Sequence, residues 1–371
     1  MNTPAPNGRI SQLQESLTSH DLDALVVSSA TNIRYLTGFS GSNGTVVITT
    51  TSATLITDNR YGERAADELE VGNPHAGVDV EIALAPGAGH EELERRLSDC
   101  RTIGLEASDL SWSAASALSD RLGAERIQST VGIVEKLRER KSPAEINLMG
   151  RAAAIADDAL AHVIDSGIEG LTERDIQRRL DHTATDLGAD GASFDTIVAS
   201  GPNGSRPHHE AGQRAVTAGD LVIIDFGAEV GGYRSDMTRT FVLGTPTPQQ
   251  RLMLEAVEAA QAAGVGVVAA GVQTSEIDAA CRSVLADFKL EKYFIHGTGH
   301  GVGLDIHEAP SVSSTSTATL APGHVITVEP GVYIPNVGGV RWEDTVVVTT
   351  VGVETLTKHP KQPKIDAPSA S

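Results

Sequence analysis

The 371-residue sequence predicts an α/β N-terminal domain followed by a larger α+β C-terminal domain. Three observations carry this. Short apolar runs alternate with helical patterns up to about residue 138, the signature of an α/β layer arrangement. A charged stretch ending in Ser142-Pro143-Ala144-Glu145 then opens a new helix. Beyond it, long helical patterns are interleaved with strands that carry acidic residues near their ends. Two domains also fit the length, at roughly 150 residues each.

Ile10, Leu13 and Leu17 fall at helical spacing, and ALVVSS (24–29) reads as a buried strand. TVVITT (45–50) and ATLITD (53–58) form a hairpin pattern, and VDVEIA (78–83) and TIGLEA (102–107) are further strands. Helical patterns lie at 61–70, 90–99 and 111–123. At the boundary, Ser142 fits an N-cap, Pro143 the first helical position and Glu145 the third position of a capping box. That helix should run to about Ile164. A second follows with Thr172 as its cap, and two more occupy 247–270 and 275–288. Strands are expected at 195–200, 220–225, 238–244, 324–334 and 340–350. Asp225 and Asp236 flank one turn, and Glu329 and Glu343 flank another. The pairing implies two related halves, although no sequence repeat is visible.

Hydrophobic residues make up 40% of the chain, enough for a sizeable core, but aromatics only 4%, so Val, Leu, Ile and Ala must build it. The net charge of −20 argues against nucleic acid or an anionic membrane as partner. Cys100 and Cys281 are isolated, which fits a reducing compartment. No signal peptide or membrane span is read, so a cytoplasmic location is expected. The two glycosylation-type triplets at Asn43 and Asn203 are read as Asn-Gly turns.

Five residues stand in distinctive contexts: Asp225 (IIDFG), Asp236 (YRSDMTRT), His300 (HGTGHGVGLDIHE), Glu329 (TVEPG) and Glu343 (VRWEDT). Singly, each has an ordinary explanation. An acid after a buried strand is usually a cap or loop residue. Asp236, Thr238 and Thr240 share one strand face, as do Arg341, Glu343 and Thr345, and such polar stripes commonly face solvent. The glycines around His300 could mark a turn, or let the backbone approach a ligand. They do not fit the dinucleotide fingerprint, and His307-Glu308 lacks the second histidine of a zincin motif. Together, however, four carboxylates and one imidazole carry a formal charge of −4. Like charges resist joint ionisation unless cations neutralise them, and two divalent ions balance this set. The oxygen-rich ligands suit Mn, Co, Fe or Zn in a two-metal hydrolase. His296, His300, His307 and His324 cluster in the same stretch.

With these motifs in place, residues 142–371 resemble the metal-dependent pita-bread peptidases, the superfamily of methionine aminopeptidase, aminopeptidase P and prolidase. Residues 1–138, through NIRYLTGFSGSNG (32–44) and LITDNRYGERA (55–65), resemble the creatinase-like domain of bacterial Xaa-Pro peptidases. The resemblance implies that Asp225 chelates one metal, that Asp236 and Glu343 bridge two, and that His300 and Glu329 complete the second. Manganese is the favoured ion, with Co, Zn or Fe as alternatives. By the same resemblance His208 is the histidine near the leaving group, with His209 next in line. His307 is a second substrate-side histidine, Arg341 lies beside the cluster, and Glu329 doubles as proton acceptor. Trp342 departs from the aliphatic residue usual there and is expected to pack behind its strand.

The function implied is hydrolysis of the Xaa-Pro bond at peptide N-termini by a metal-bridging hydroxide, by an enzyme that is a homodimer. The alternatives are an Xaa-Pro dipeptidase (prolidase) and a non-catalytic pita-bread binding protein. Methionine aminopeptidase does not account for the N-terminal domain, and creatine amidinohydrolase does not use the metal set. The expected partners are proline-containing peptides, with no nucleic acid and no membrane.

Overall fold

The computed structural model describes residues 8–72, 80–85, 89–361 and 364–365. The chain divides into two compact units, Met1–Arg138 and Glu139–Ser371.

In the first unit the strands are β1 (Ala24–Val27), β2 (Thr45–Thr49), β3 (Ala53–Thr57), β4 (Val80–Leu84), β5 (Ile103–Glu106) and β6 (Ile127–Thr130). They form one sheet in the order β4-β3-β2-β1-β5-β6. The expected hairpin is present, with β2 and β3 antiparallel. β3–β4, β1–β5 and β5–β6 are parallel and need crossovers, and helical segments lie between them in sequence. The expected strand at 78–83 begins at Val80, its first two residues lying outside the described ones. The helices are α1 (Arg9–Ser19), α2 (Ala30–Thr37), α3 (Gly62–Gly72), α4 (His90–Arg96), α5 (Trp112–Leu122) and α6 (Ile133–Arg138). α1 buries Ile10, Leu13 and Leu17 as its spacing requires. The core is aliphatic, with Val26, Val47, Leu97, Ile103 and Leu105 packed together.

The second unit opens with α7 (Pro143–Asp165), and its start is the expected capping box. The Ser142 hydroxyl accepts from Glu145 N, and the Glu145 carboxylate accepts from Ser142 N at 2.8 Å. Such a cap is worth about 1 kcal/mol. α8 (Glu173–Asp186) starts the same way at Thr172, and α9 (Pro248–Val267) at Thr247. α10 (Thr274–Asp287) completes the helices. β8 (Ile197–Ser200), β9 (Leu221–Phe226), β12 (Met237–Leu243) and β20 (Lys364–Ile365) make a four-stranded sheet. A second, five-stranded sheet runs β14-β13-β15-β18-β19. Its strands are β13 (Gly299–Gly301), β14 (Glu308–Val312), β15 (Val325–Val328), β18 (Asp344–Val348) and β19 (Val353–Thr355). Short strands β7 (Gly191–Ala192), β10 (Ala228–Val230) and β11 (Tyr233–Arg234) form a third sheet, and β16 (Gly331–Ile334) pairs with β17 (Gly338–Arg341).

The two halves are built alike. Leu160, Ile176 and Leu180 of α7 and α8 pack on Val222, Ile224 and Phe241 of one sheet. Met253, Val257 and Ile277 of α9 and α10 pack on Ile326, Val328 and Val346 of the other. Each such aliphatic side chain contributes roughly 1.5–3 kcal/mol when fully buried. One expectation needs correcting. Residues 324–334 and 340–350 are not two continuous strands; each is broken in the middle, between β15 and β16 and between β17 and β18. Pro330 has no N–H to continue the ladder, and the breaks leave Glu329 and Glu343 outside both pairings. Of the two Asn-Gly pairs read as turns, the one at Asn203 lies in a short 3₁₀ turn, and Asn43-Gly44 precedes β2.

Candidate metal centre

β9 is buried along Leu221–Ile224, and its register places Asp225 opposite Thr238 of β12. Asp236 lies one residue before β12 and is 4% exposed. Glu343, at 1%, lies just after β17, its N–H bonded to the Thr238 carbonyl at 3.2 Å. Glu329 N–H bonds to the Thr298 carbonyl at 2.8 Å. Thus four loop or strand-end carboxylates from both halves meet.

His300 enters from β13. Its flanking glycines are required by packing. A Cβ on Gly299 would run into the Thr327 carbonyl and one on Gly301 into the Ala309 carbonyl, so only glycine lets β13 sit between its neighbours. The His300 ring points Nδ1 at the Gly301 carbonyl, 3.1 Å away. A carbonyl only accepts, so Nδ1 carries the proton and Nε2 offers its lone pair. Nε2 lies 3.6 Å from Asp236 Oδ2 and 3.4 Å from Glu329 Oε1.

The sequence-expected polar stripe faces inward. The Thr238 hydroxyl donates to Glu343 Oε2 at 2.7 Å, and the Thr345 hydroxyl to the Asp236 carbonyl at 2.7 Å. Arg341 is 3% exposed, and each of its nitrogens is used. Nε donates to the Thr238 hydroxyl at 3.0 Å, one terminal nitrogen to Tyr333 Oη at 2.8 Å and the other to Asp225 Oδ2 at 2.5 Å. Behind the carboxylates, the buried Arg239 donates to the Glu343 carbonyl, to Asp344 at 2.8 Å and to the His359 carbonyl. Trp342 is fully buried in the core of this half, as expected.

Burial pushes Asp236 and Glu343 well above the ordinary carboxylate range, and the neighbouring carboxylates push them further. Burial, opposed by Arg341 and reinforced by Asp225, takes Glu329 up to about 8. Burial holds His300 below the ordinary imidazole value. The cluster therefore resists carrying its full negative charge by itself. A cation fits it. Ligand atoms of Asp236, His300 and Glu343 all lie within 4.8 Å of one another. Among the described residues, Asp225 Oδ1 is buried without a hydrogen-bond partner, although Oδ2 is held by Arg341. A carboxylate oxygen held dry in this way matches the hard donor that divalent ions prefer.

The cluster forms one wall of a cavity of about 360 Å³. His208, His296 and His307 line it, and Phe194, Ile197 and Ile306 supply apolar surface. The His307 ring stands edge-on to His300, centroids 4.4 Å apart, and burial and His300 hold it below the ordinary value. His209 points elsewhere, to Glu173 at 2.8 Å. His324 also lies off the cavity, 3.9 Å from Glu139. Sequence reasoning missed Tyr333. Its hydroxyl bridges Arg341 and His296, the latter at 2.9 Å, and burial pushes it up to about 12. The signal was available, because pairing back from the turn puts Tyr333 opposite Gly339, two positions along from Arg341 on the same face. His296 gives its Nδ1 proton to the Gly297 carbonyl at 2.7 Å, and burial, then Arg341, brings it down to about 4.

Residues 147–350 match the metallopeptidase family M24, and residues 9–140 match the creatinase/prolidase N-terminal domain. The chain belongs to metallopeptidase family M24. It is similar to the Xaa-Pro dipeptidase of Pyrococcus horikoshii, 33% identical over 96% of this chain and 98% of the relative. Among solved structures, an Xaa-Pro dipeptidase from Bacillus anthracis is 37% identical with a TM-score of 0.91, covering 97% of this chain and 99% of its own. The X-Pro aminopeptidase of Thermotoga maritima is 31% identical with a TM-score of 0.86, covering 95% and 99%. This M24 chain is thus a pita-bread metallopeptidase with a creatinase-type N-terminal domain, within a group of Xaa-Pro peptidases. Its family implies divalent metal ions. No helix among the described residues is long and apolar enough to cross a membrane.

Proposed function

We propose that this chain is an Xaa-Pro aminopeptidase that removes the N-terminal residue from peptides extending beyond the proline. The observation that carries this over a dipeptidase is the state of Arg341. It is the only Arg or Lys among the described residues lining the cavity, and Asp225, Thr238 and Tyr333 occupy all its nitrogens. A strict dipeptidase must bind a free C-terminal carboxylate close to the reacting bond. Burial takes His296 down to about 4 and holds His307 below the ordinary imidazole value, which disfavours either as that cation. The similarity to Xaa-Pro dipeptidases supports the second reading, a prolidase.

In this proposal Asp225, Asp236, His300, Glu329 and Glu343 hold two divalent ions, manganese first. Such ions would balance the carboxylates, polarise the scissile carbonyl and supply a hydroxide nucleophile from water near neutral pH. Glu329 would serve as the acceptor of the water proton. Arg341 fixes Asp225. His208 or His307 would help orient the substrate and protonate the leaving proline nitrogen. The apolar wall of Phe194, Ile197 and Ile306 receives a ring and keeps water out. A proline nitrogen carries no N–H, so a site shaped for the ring handles a bond that general peptidases treat poorly. The expected homodimer and cytoplasmic location belong to the same proposal, and light scattering tests the first.

The deciding assay compares kcat/KM for Ala-Pro with that for Ala-Pro-Ala and longer peptides, using metal-loaded protein. Preference for the tripeptide and longer substrates is expected. Cleavage of the dipeptide alone reverses the assignment to prolidase, and no cleavage of any Xaa-Pro peptide by protein of verified metal content leaves a binding protein.

A further inference from the structure

The sequence PHHE presents two adjacent histidines with different destinations. His208 lines the cavity, while His209 is turned to a carboxylate that has no part in the metal cluster. That carboxylate is Glu173, the first residue of α8, and its side chain is completely buried. It gathers five donors from one loop. Oε1 accepts from Ser200 N at 2.8 Å, the Ser200 hydroxyl at 2.7 Å and Asn203 Nδ2 at 2.9 Å. Oε2 accepts from His209 Nε2 at 2.8 Å and Gly212 N at 3.1 Å. The backbone repeats the attachment, with Glu173 N–H bonded to the Arg214 carbonyl and Arg174 N–H to the Gly212 carbonyl, both at 3.0 Å.

This arrangement exceeds what a helix start requires. Thr172 already caps α8, with Asp175 closing the capping box. A buried carboxylate is costly unless its lone pairs are filled, and here every donor comes from the segment 200–212, the segment that contains His208. Burial alone would push Glu173 up. Hydrogen bonds from Asn203, His209 and Ser200 outweigh it and hold the carboxyl below its ordinary value. Glu173 is therefore an anion that accepts only, and His209 must face it with an N–H. Fixed in that way, His209 has no proton-transfer role in the cavity, and the backbone on both sides of His208 is pinned.

We propose that Glu173 is a positioning residue for catalysis, which by capturing His209 and both ends of the 200–212 loop aims His208 at the substrate. The inference rests on the reading of His208 as a substrate-side histidine. Loss of the anchor should cost rate with little loss of ground-state binding, because a displacement of about 1 Å in a catalytic group can cost roughly 10²-fold.

The test uses the metal-loaded enzyme and an Xaa-Pro tripeptide, with kcat, KM, metal content and melting temperature read for each variant. Glu173→Gln places an amide N–H against the Gly212 N–H and should lower kcat roughly 10–100-fold. His209→Ala should do the same, and His209→Gln, which still offers an N–H to the carboxylate, should recover most of the loss. KM and metal content should stay near wild type throughout. A His209→Gln as slow as His209→Ala would make His209 itself the acid–base group and overturn the proposal. So would wild-type kcat in both Glu173→Gln and His209→Ala. Should Glu173→Gln not fold, the two His209 variants decide alone. His208→Ala separates the levels: if it is slow while the anchor variants are normal, only this inference fails, and if it retains full activity, the reading of His208 fails with it.

Discussion

Replacing Arg341 by Met should destabilise the metal-free protein far more than the metal-loaded one. The guanidinium is buried and is the cation compensating Asp225, Glu329 and Glu343 in the absence of metal. Removing one partner of a buried ion pair costs about 3–5 kcal/mol, because the other charge is left uncompensated. For a unit of this size, each kcal/mol moves the melting temperature by roughly 2–4 °C. The loss in EDTA should therefore be on the order of 6–20 °C. With metal bound, the ions take over the compensation of Asp225, and what remains is the loss of hydrogen bonds to Thr238 and Tyr333, about 1–2 kcal/mol. The experiment is differential scanning calorimetry of wild type and Arg341→Met, with EDTA and with saturating Mn²⁺. It belongs near pH 8.5, above the value of about 8 for Glu329. At lower pH, proton uptake by the carboxylates would stand in for the lost guanidinium. Equal losses with and without metal would refute the reasoning and reduce Arg341 to a packing role.

Other outcomes follow from the same geometry. The metal-free protein should lose stability as pH rises from 6 to 8.5. Glu329, Asp236 and Glu343 are raised in the folded state, so they keep protons that the unfolded chain has already released above about 4.5. Their contribution is full below that pH and fades as the folded values are passed, at about 1.4 kcal/mol per pH unit for each proton retained. Saturating metal should flatten this slope, since binding displaces those protons and leaves the carboxylates ionised in both the folded and the unfolded state. Melting curves with EDTA that rise between pH 6 and 8 would contradict this. Asp236→Ala, Glu343→Ala and His300→Ala should lower metal content by elemental analysis. His208→Ala and His307→Ala should keep it while kcat/KM falls about 10²-fold. Finally, Lys141 and Glu308 form a buried pair at 2.9 Å, next to His307. Lys141→Met should cost about 3–5 kcal/mol and the double change with Glu308→Gln much less, a coupling that a double-mutant cycle in urea measures.

Much of the site was legible because its chemistry is local in sequence. Asp225 after a buried strand, the alternation of Asp236, Thr238 and Thr240, and the caps at Ser142 and Thr172 all follow from short-range patterns. What escaped depends on long-range packing. The apolar runs around Glu329 and Glu343 read as continuous strands because period-two alternation cannot reveal that the chain changes sheets. The glycines beside His300 read as room for a ligand or a turn, and the packing need behind them, room for neighbouring carbonyls, shows only in the folded chain. His208 was preferred to His209 only by resemblance, and the partner that holds His209 away, Glu173, lies some 35 residues earlier. Tyr333 was overlooked because its partners, Arg341 and His296, lie across the hairpin and in another segment, so only the pairing back from the turn marks it.

The order in which these residues emerge from the ribosome has its own consequence. Asp225 and Asp236 are made early, His300 follows, and Glu343 comes more than a hundred residues after Asp225, with the supporting Asp344 and the 356–359 segment later still. At roughly 5–20 residues per second, several seconds separate the first carboxylate from the last. Throughout that interval a nascent chain offers an ion only isolated acids, which any abundant divalent cation can visit and leave. On the proposed ligand set, the complete chelate would come into being only once translation has passed Glu343. If the proposed five side chains hold the metal, selection would be made by the finished protein against the free-ion pool, and the ion carried would follow ion availability at maturation as much as the identity of those side chains.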